Sequence, residues 1–231
     1  MVFNLKPQLR AFRFVGHTGA VNDVAYASNG SLIASASSDK TVRLWLPNVR
    51  GESTAIKAHT APVRSVCFSW DGRHLLTSGD DKSAKVFKLP QRRFEYSLLG
   101  HSNWVRSACF APDGRLVGTG SDDRTVKIWD TETKSCLQTY HDHSDIINKV
   151  RFHPDGTIVA ACSSDCTVKL WDVRSNTLVQ VRKWVDRLLG ATHSCQVPTL
   201  NVSVSALVTP HARLLAAPTA LPGPSGGRER Y

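Results

Sequence analysis

Residues 100–130, GHSNWVRSACFAPDGRLVGTGSDDRTVKIWD, form the stretch that decides how this chain folds. The stretch begins with Gly-His and ends with Trp-Asp, and two apolar runs flank an Asp-Gly pair between them. The same landmarks return when it is shifted by 42 residues in either direction, as from His101 to His59 or to His143. Chance does not produce four landmarks with one period, so the chain is a tandem array of one unit.

Four kinds of residue keep this period: a histidine, a small hydroxyl residue, an acid and a large aromatic residue. They are His17, Ser35, Asp39 and Trp45; His59, Thr77, Asp81 and Phe87; His101, Thr119, Asp123 and Trp129; and His143, Asp165 and Trp171. Two copies depart from the set. Phe87 has no indole N–H, and Ala161 stands where the fourth copy needs its hydroxyl residue.

Each copy also predicts four short β-strands. In the second copy these are residues 63–68, 74–79, 83–89 and 94–99, with Asp71-Gly72 as a hairpin signal between the first two. The inner strands are apolar on both sides, which indicates that both faces of each sheet are covered. One such sheet cannot bury its own surface, so neighbouring copies must stack.

A period of 40–45 residues with Gly-His and Trp-Asp landmarks resembles the WD40 family. The resemblance implies an all-β propeller with four complete four-stranded blades plus a partial N-terminal blade, in an open or incomplete ring. We place the partial blade at residues 1–16 and the repeats at about 17–58, 59–100, 101–142 and 143–183. Residues 184–231 break the pattern and are expected to form a largely irregular tail.

The WD40 resemblance further implies that the four recurring side chains form a buried hydrogen-bond network. The acid accepts from the histidine and from nearby backbone, the histidine contacts the hydroxyl, and the hydroxyl accepts from the indole. Complete buried networks of this kind fix one geometry. The second and fourth blades are therefore predicted to be the weaker pair.

A metal site or catalytic triad is the rival interpretation, since His141, Asp142 and His143 are adjacent and every copy carries Ser or Thr, His and Asp. Structural zinc needs four convergent ligands at tight spacings, and His143 belongs to the repeat. Polar residues that recur in every copy favour a scaffold over a single active site. We expect no enzyme activity, no cofactor and no metal.

The partner surface is carried over from the WD40 family by position, because the residue before the repeat acid and those after Gly-His line one rim of the propeller. The candidates are Asn22, Arg64, Asp80, Trp104, Arg106, Asp122, Ile146 and Asn148. Trp and Arg are enriched among binding hot spots. The alternative is that Trp104 packs between blades and that the charges pair with each other.

A finer resemblance rests on residues 6–17 (KPQLRAFRFVGH), 44–68 and 101–116, which are similar to the proteome-of-centriole family. It implies a role in centriole or basal-body stability and cilium formation, with centriolar or microtubule-associated partners. The implied location is the cytoplasm and cytoskeleton, at the centrosome and the ciliary basal body. That family has seven blades and a C-terminal coiled coil, so we expect a truncated form whose open blade edges allow self-association.

Other functions stay open as alternatives, above all a WD40 adaptor in a ubiquitin ligase, a chromatin complex or an RNA-processing complex. The net charge of +10 allows nucleic-acid binding, but no Lys/Arg cluster with interleaved aromatics accompanies it, so a solvated basic surface is favoured. No apolar run is long enough to span a bilayer, so no membrane partner is expected.

Overall fold

The computed structural model describes residues 14–47 and 52–183, which form sixteen strands in four sheets. The first sheet contains β1 (Val21–Tyr26), β2 (Ile33–Ser37), β3 (Thr41–Trp45) and β4 (Ser53–Lys57). The second contains β5 (Val63–Phe68), β6 (His74–Gly79), β7 (Ser83–Lys88) and β8 (Arg93–Leu99). The third contains β9 (Val105–Phe110), β10 (Leu116–Ser121), β11 (Val126–Asp130) and β12 (Cys136–Tyr140). The fourth contains β13 (Ile147–Phe152), β14 (Ile158–Ser163), β15 (Thr167–Asp172) and β16 (Thr177–Lys183).

Each sheet is an antiparallel meander in which consecutive strands pair. The all-β, four-bladed prediction is confirmed, and the strands predicted for the second copy differ from the observed ones by one residue at two ends. Leu89 leaves β7 because its N–H donates to the carbonyl of Arg73. β8 begins at Arg93 because that residue pairs with Lys88.

Antiparallel pairing sends successive connections to opposite ends of each sheet. The β1–β2 and β3–β4 connections and their equivalents lie at one end, which we call the hairpin end. The β2–β3 connections and the links between blades lie at the other, which we call the rim end. Gly30, Gly72, Gly114 and Gly156 have φ between +67° and +75° in the predicted hairpins, a conformation that glycine adopts without strain.

The sheets stack side by side through their first strands, β1 against β5, β5 against β9 and β9 against β13. Packing at the last interface is close: a Cβ on Gly120 would lie 2.6 Å from side-chain atoms of both Ile147 and Val150. All five residues of β2 are buried, as expected for a strand covered on both faces.

The first sheet differs from the others on the face that points away from the array. Val63, Val66 and Phe68 of β5 are buried against the first sheet. Their equivalents in β1, which are Val21, Val24 and Tyr26, are each at least 50% exposed. The first and fourth sheets are nevertheless bridged, because the Asp23 carboxylate accepts from Lys149 Nζ at 3.1 Å as well as from Ser65 Oγ at 2.8 Å.

Two sequence predictions fall on other parts of the chain. The partial blade, up to residue 13, and the tail at 184–231 lie outside the described residues. Phe14 is described, and its ring stacks on Trp45 with centroids 5.4 Å apart. Over the residues that the structure covers, no helix is long and apolar enough to cross a membrane.

Candidate protein-interaction surface

The third blade carries a continuous chain of side-chain hydrogen bonds. His101 Nδ1 lies 2.8 Å from the Asp123 carboxylate, and its Nε2 lies 2.7 Å from Thr119 Oγ1. The indole Nε1 of Trp129 donates to the same Thr119 oxygen at 2.8 Å. The geometry fits a histidine that donates through Nδ1 and accepts at Nε2, so each polar atom of His101, Thr119 and Trp129 in this network has a partner.

Asp123 accepts further hydrogen bonds, from two backbone N–H groups and from a hydroxyl. The backbone N–H and the hydroxyl of Thr125 donate to it at 2.9 and 2.6 Å, and the N–H of Ser102 donates at 3.0 Å. Burial alone would raise the pKa of this carboxyl. Hydrogen bonds from His101 and Thr125 outweigh burial and hold the Asp123 pKa well below its usual range.

Thr125 represents a fifth recurring position, beyond the four predicted from the sequence. The hydroxyl two residues after the repeat acid donates to that acid at 2.6–2.7 Å in every blade. The residues are Thr41, Ser83, Thr125 and Thr167. Their 42-residue period was visible in the sequence and could have identified them.

The first blade repeats the complete arrangement. His17 lies 2.7 Å from both Asp39 and Ser35, and the Trp45 indole donates to Ser35 at 2.8 Å. The second blade keeps the contacts of His59 with Asp81 and Thr77, at 2.8 Å each. Phe87 offers no N–H, so Thr77 lacks the indole contact that its equivalents receive.

The fourth blade lacks the hydroxyl, and its network is rearranged in a way that the sequence did not suggest. His143 Nδ1 lies 2.8 Å from Asp165, but the buried Nε2 of His143 has no hydrogen-bond partner beside Ala161. The Trp171 indole donates instead to the Asp142 carboxylate at 2.7 Å. Burial lowers the pKa of His143, against the opposing effect of Asp165. Asp142 thus acts as a substitute acceptor for the Trp171 indole.

These networks fix the rim end of the sheets. In each blade the repeat acid also accepts from the backbone N–H of the residue after the histidine, which ties the link between blades to the β2–β3-type turn. The loops that form the rim are therefore held by buried hydrogen bonds, and the side chains they carry are presented in one geometry.

Four equivalent side-chain pairs line this rim, each joining the second residue of a first strand to the residue before the repeat acid. In the outer blades the pairs are neutral: Asn22 donates to Ser38 at 3.1 Å, and Asn148 donates to Ser164 at 3.0 Å. In the middle blades the pairs are charged. Arg64 donates to Asp80 through Nε and Nη2 at 2.7 Å each. Arg106 binds Asp122 in the same way.

Trp104 lies on the rim beside these charged pairs and is 42% exposed. The guanidinium of Arg64 lies 5.5 Å from the centre of its ring. Hydrogen bonding to Asp80 raises the pKa of Arg64, against burial and with help from Asp122, so the guanidinium stays charged over the indole. Ile146, the fourth-blade equivalent of Trp104, is half-buried. The structure thus brings together Trp104, Arg64 and the acids, and the charges pair with each other as the alternative interpretation held.

Within residues 14–47 and 52–183, no group of three or more His, Cys, Asp or Glu side chains is placed to hold an ion.

Comparison with known proteins agrees with this architecture. The family "WD domain, G-beta repeat" matches residues 8–45, 51–88, 92–130 and 134–172. No curated protein sequence matches the chain. The solved structure of U3-55K matches with a TM-score of 0.68 at 20% identity, over 74% of this chain and 54% of that chain. The chain thus spans about half the length of U3-55K, and the likeness establishes the fold alone.

The fold by itself singles out no partner, since 1626 chains of solved structures match it and one fold hosts many functions. The four matched repeats, the four meander sheets and the recurring His–Asp contacts agree with one another. The chain belongs to the WD40 family and contains four WD repeats.

Proposed function

We propose that the chain is a non-enzymatic scaffold that binds a partner protein at the rim end of its second and third blades. The observation that carries this proposal is Trp104, exposed beside Arg64 on a rim fixed by buried hydrogen bonds. An aromatic residue and an arginine that are already held in place lose little side-chain entropy on binding. WD40 domains in general mediate protein–protein interactions, which supports this role.

We further propose that the partners are centriolar or microtubule-associated proteins and that the chain acts at the centriole or basal body, in centriole stability and cilium formation. The support is the resemblance of residues 6–17, 44–68 and 101–116 to the proteome-of-centriole family. The proposed location is accordingly the cytoplasm and cytoskeleton, at the centrosome and the ciliary basal body.

The binding surface is tested by proximity labelling in ciliated cells with the tagged chain and its Trp104→Ala variant. We expect the variant to lose the labelled centriolar proteins, because an exposed anchor residue is removed. Leu137→Gln is the matched control, since it also changes an exposed apolar residue of the third blade, but on β12. If Trp104→Ala leaves the set of labelled proteins unchanged, at equal expression and equal melting temperature, the rim around Trp104 is not the partner-binding surface.

The location is tested separately by imaging the tagged chain. A steady focus that coincides with a centriole marker supports the centriolar role. A diffuse or nuclear signal favours an adaptor role in another complex and overturns the centriolar proposal, while leaving the binding surface intact.

The exposed face of β1 supports self-association. Val21, Val24 and Tyr26 present the apolar surface that the other three blades bury. We expect sedimentation to show association that grows with concentration and that Val24→Lys reduces, since a charge there disfavours burial. A monomer at all concentrations would contradict this expectation.

A further inference from the structure

A second candidate site lies at the hairpin end of the same two blades, opposite the rim that carries Trp104. It is a groove of about 320 Å³ between the second and third sheets. The β5–β6, β9–β10 and β11–β12 connections and the first half of β8 form its walls. This volume is at the lower end of the range for ligand pockets and is large enough for one or two side chains of a bound segment.

Trp70 at the mouth of this groove departs from the repeat without a structural reason. The equivalent residues, which lie one or two 42-residue periods away, are Ser28, Pro112 and Pro154. The adjacent turn is the same in each blade, with Gly72 at φ +67° and Gly114 at φ +73°. A proline serves this turn equally well, yet Trp70 stands here and is 75% exposed. The fold therefore does not account for the indole.

The groove combines an apolar floor with acidic walls. Tyr96, Phe110 and Pro112 contribute apolar surface beside Trp70. Four carboxylates line the same space: Asp71, Glu95, Asp113 and Glu132. Among the described residues, no lysine or arginine lines it, and the basic side chain in the lining is His74, whose Nε2 lies 3.4 Å from the Glu95 carboxylate. An acidic groove on a chain of net charge +10 is a local reversal of sign.

This composition is specific to the cleft between the second and third blades. In the next cleft, Leu137 and Gln138 replace Glu95 and Tyr96, and Arg174 replaces Glu132. In the preceding cleft, Ser53 and Thr54 stand at the positions of Glu95 and Tyr96. Blade stacking works in all three clefts, so packing does not require the aromatic and acidic residues of this one.

A cation lies beside the groove, against the ring of Tyr96. The ammonium of Lys134, from the β11–β12 connection, lies 5.2 Å from the centre of the Tyr96 ring. Burial raises the pKa of Tyr96 to about 12, and the charges of Glu95 and Asp130 add to this rise, as expected where the local potential is negative. Aromatic faces backed by carboxylates attract lysine and arginine side chains.

We propose that this groove is a second binding site, which takes a short basic segment of a partner protein, with an arginine or lysine between the acidic walls and an apolar neighbour under Trp70. Charge complementarity carries the choice of occupant. The aromatic floor explains why an apolar residue accompanies the cation, since an indole contributes mainly by burying apolar area.

The test is a fluorescence-anisotropy titration of the full chain with a labelled, amidated heptapeptide that contains one arginine and one lysine among leucine and glycine residues. The same peptide with glutamate at both basic positions is the negative control. We expect the basic peptide alone to bind, with an affinity that falls as salt is raised. Trp70→Pro is expected to weaken binding about tenfold, the effect typical of a hot-spot residue.

Trp70→Pro should leave the fold intact, because Pro112 and Pro154 hold the equivalent turns. Glu95→Gln, with a side chain of nearly the same volume, provides a second variant and should weaken binding in the same direction. Leu137→Gln, at the position of Glu95 in the next cleft, should leave binding unchanged. Equal binding of both peptides, or a Trp70→Pro effect below about twofold, would overturn the proposal that the groove binds a basic segment. If Trp104→Ala abolishes binding and Trp70→Pro does not, the peptide binds at the rim, and the proposal for the groove is wrong.

Discussion

In the third blade the indole of Trp129 donates to the Thr119 hydroxyl, whereas in the fourth blade the indole of Trp171 donates to the Asp142 carboxylate. Both tryptophans are therefore satisfied. The histidines are not equal: His101 Nε2 has Thr119 as its partner, and His143 Nε2 is buried without one. Asp142 replaces the missing hydroxyl as the acceptor for Trp171, but no group replaces it as the donor to His143 Nε2. The comparison shows that when a shared hydroxyl is absent, its two former partners are satisfied independently: the indole has found another acceptor, and the imidazole nitrogen has found no donor.

The largest expected effect comes from removing the acid in each blade. Asp123→Ala leaves the His101 N–H and two backbone N–H groups without an acceptor. It also removes the anchor of the hydrogen-bond network that runs from His101 through Thr119 to Trp129. We expect a loss of about 3 kcal/mol in the free energy of unfolding. Asp165→Ala should cost about 1 kcal/mol less, because no continuous chain extends beyond His143. Urea titration of both variants measures this difference, and equal losses would contradict the network argument.

A smaller effect isolates the two indole contacts. Trp129→Phe and Trp171→Phe remove the same atoms from equivalent buried positions, so the difference between their effects compares the two indole hydrogen bonds. We expect Trp129→Phe to be more destabilising by about 1 kcal/mol, since the buried Thr119 oxygen loses the donor whose hydrogen bond it accepts and water cannot replace it. Trp171→Phe releases Asp142, which is exposed and can be hydrated. The check is the midpoint of thermal unfolding, and a larger shift for Trp171→Phe would show that the Asp142 contact is the stronger one.

Restoring the hydroxyl should make the fourth blade more like the third. Ala161→Ser supplies the residue type that the first blade has at Ser35, and the new hydroxyl can donate to His143 Nε2. We expect a gain of about 1 kcal/mol, the net value of a typical hydrogen bond. Ala160→Ser, one position away, is the control and should bring no gain. A neutral or destabilising Ala161→Ser would mean that the site lacks room for the oxygen.

The smallest effect is a dependence on pH. Burial depresses the pKa of His143 below 6.5, so protonation favours the unfolded chain, and stability should fall as the pH drops below that value. The repeat acids add a second loss at lower pH. The pKa of Asp165 is held at about 2, so its contribution disappears between its ordinary value near 3.8 and that point.

Denaturant titrations between about pH 7 and 5 separate the histidine from the acids. His143→Gln should reduce the slope of unfolding free energy against pH over that interval. Identical slopes for the two proteins would show that His143 does not titrate with folding.

The period of 42 residues was sufficient to place the strands, because each landmark marks a fixed point of the meander. It was also sufficient to predict which blades have incomplete networks, since Phe87 and Ala161 are visible as substitutions. The contact between Asp142 and Trp171 could not be foreseen. It joins a link between blades to a strand 29 residues later, and only the folded geometry brings them together.

Some features of the candidate surfaces are visible in the repeat pattern, although they were not among the predictions. The Asn–Ser and Arg–Asp pairs of the rim share one spacing of 16 residues, which a closer comparison of the copies would have revealed. Trp70 breaks the pattern of Pro112 and Pro154, yet an exposed tryptophan looks like a core residue until the fold shows which way its turn faces. Stacking of Arg64 over Trp104 depends on the packing of two blades, which no single repeat encodes.

The alternation of connections between the two ends of each sheet has a consequence for assembly. A strand of six residues spans about 20 Å, so ligands at the two ends of the second and third blades are separated by the full height of a sheet. Such ligands would not collide, and one chain could hold both in a ternary complex. Joining them through this bridge would raise the effective concentration of each near the other, which is how a module of modest affinities produces a durable assembly.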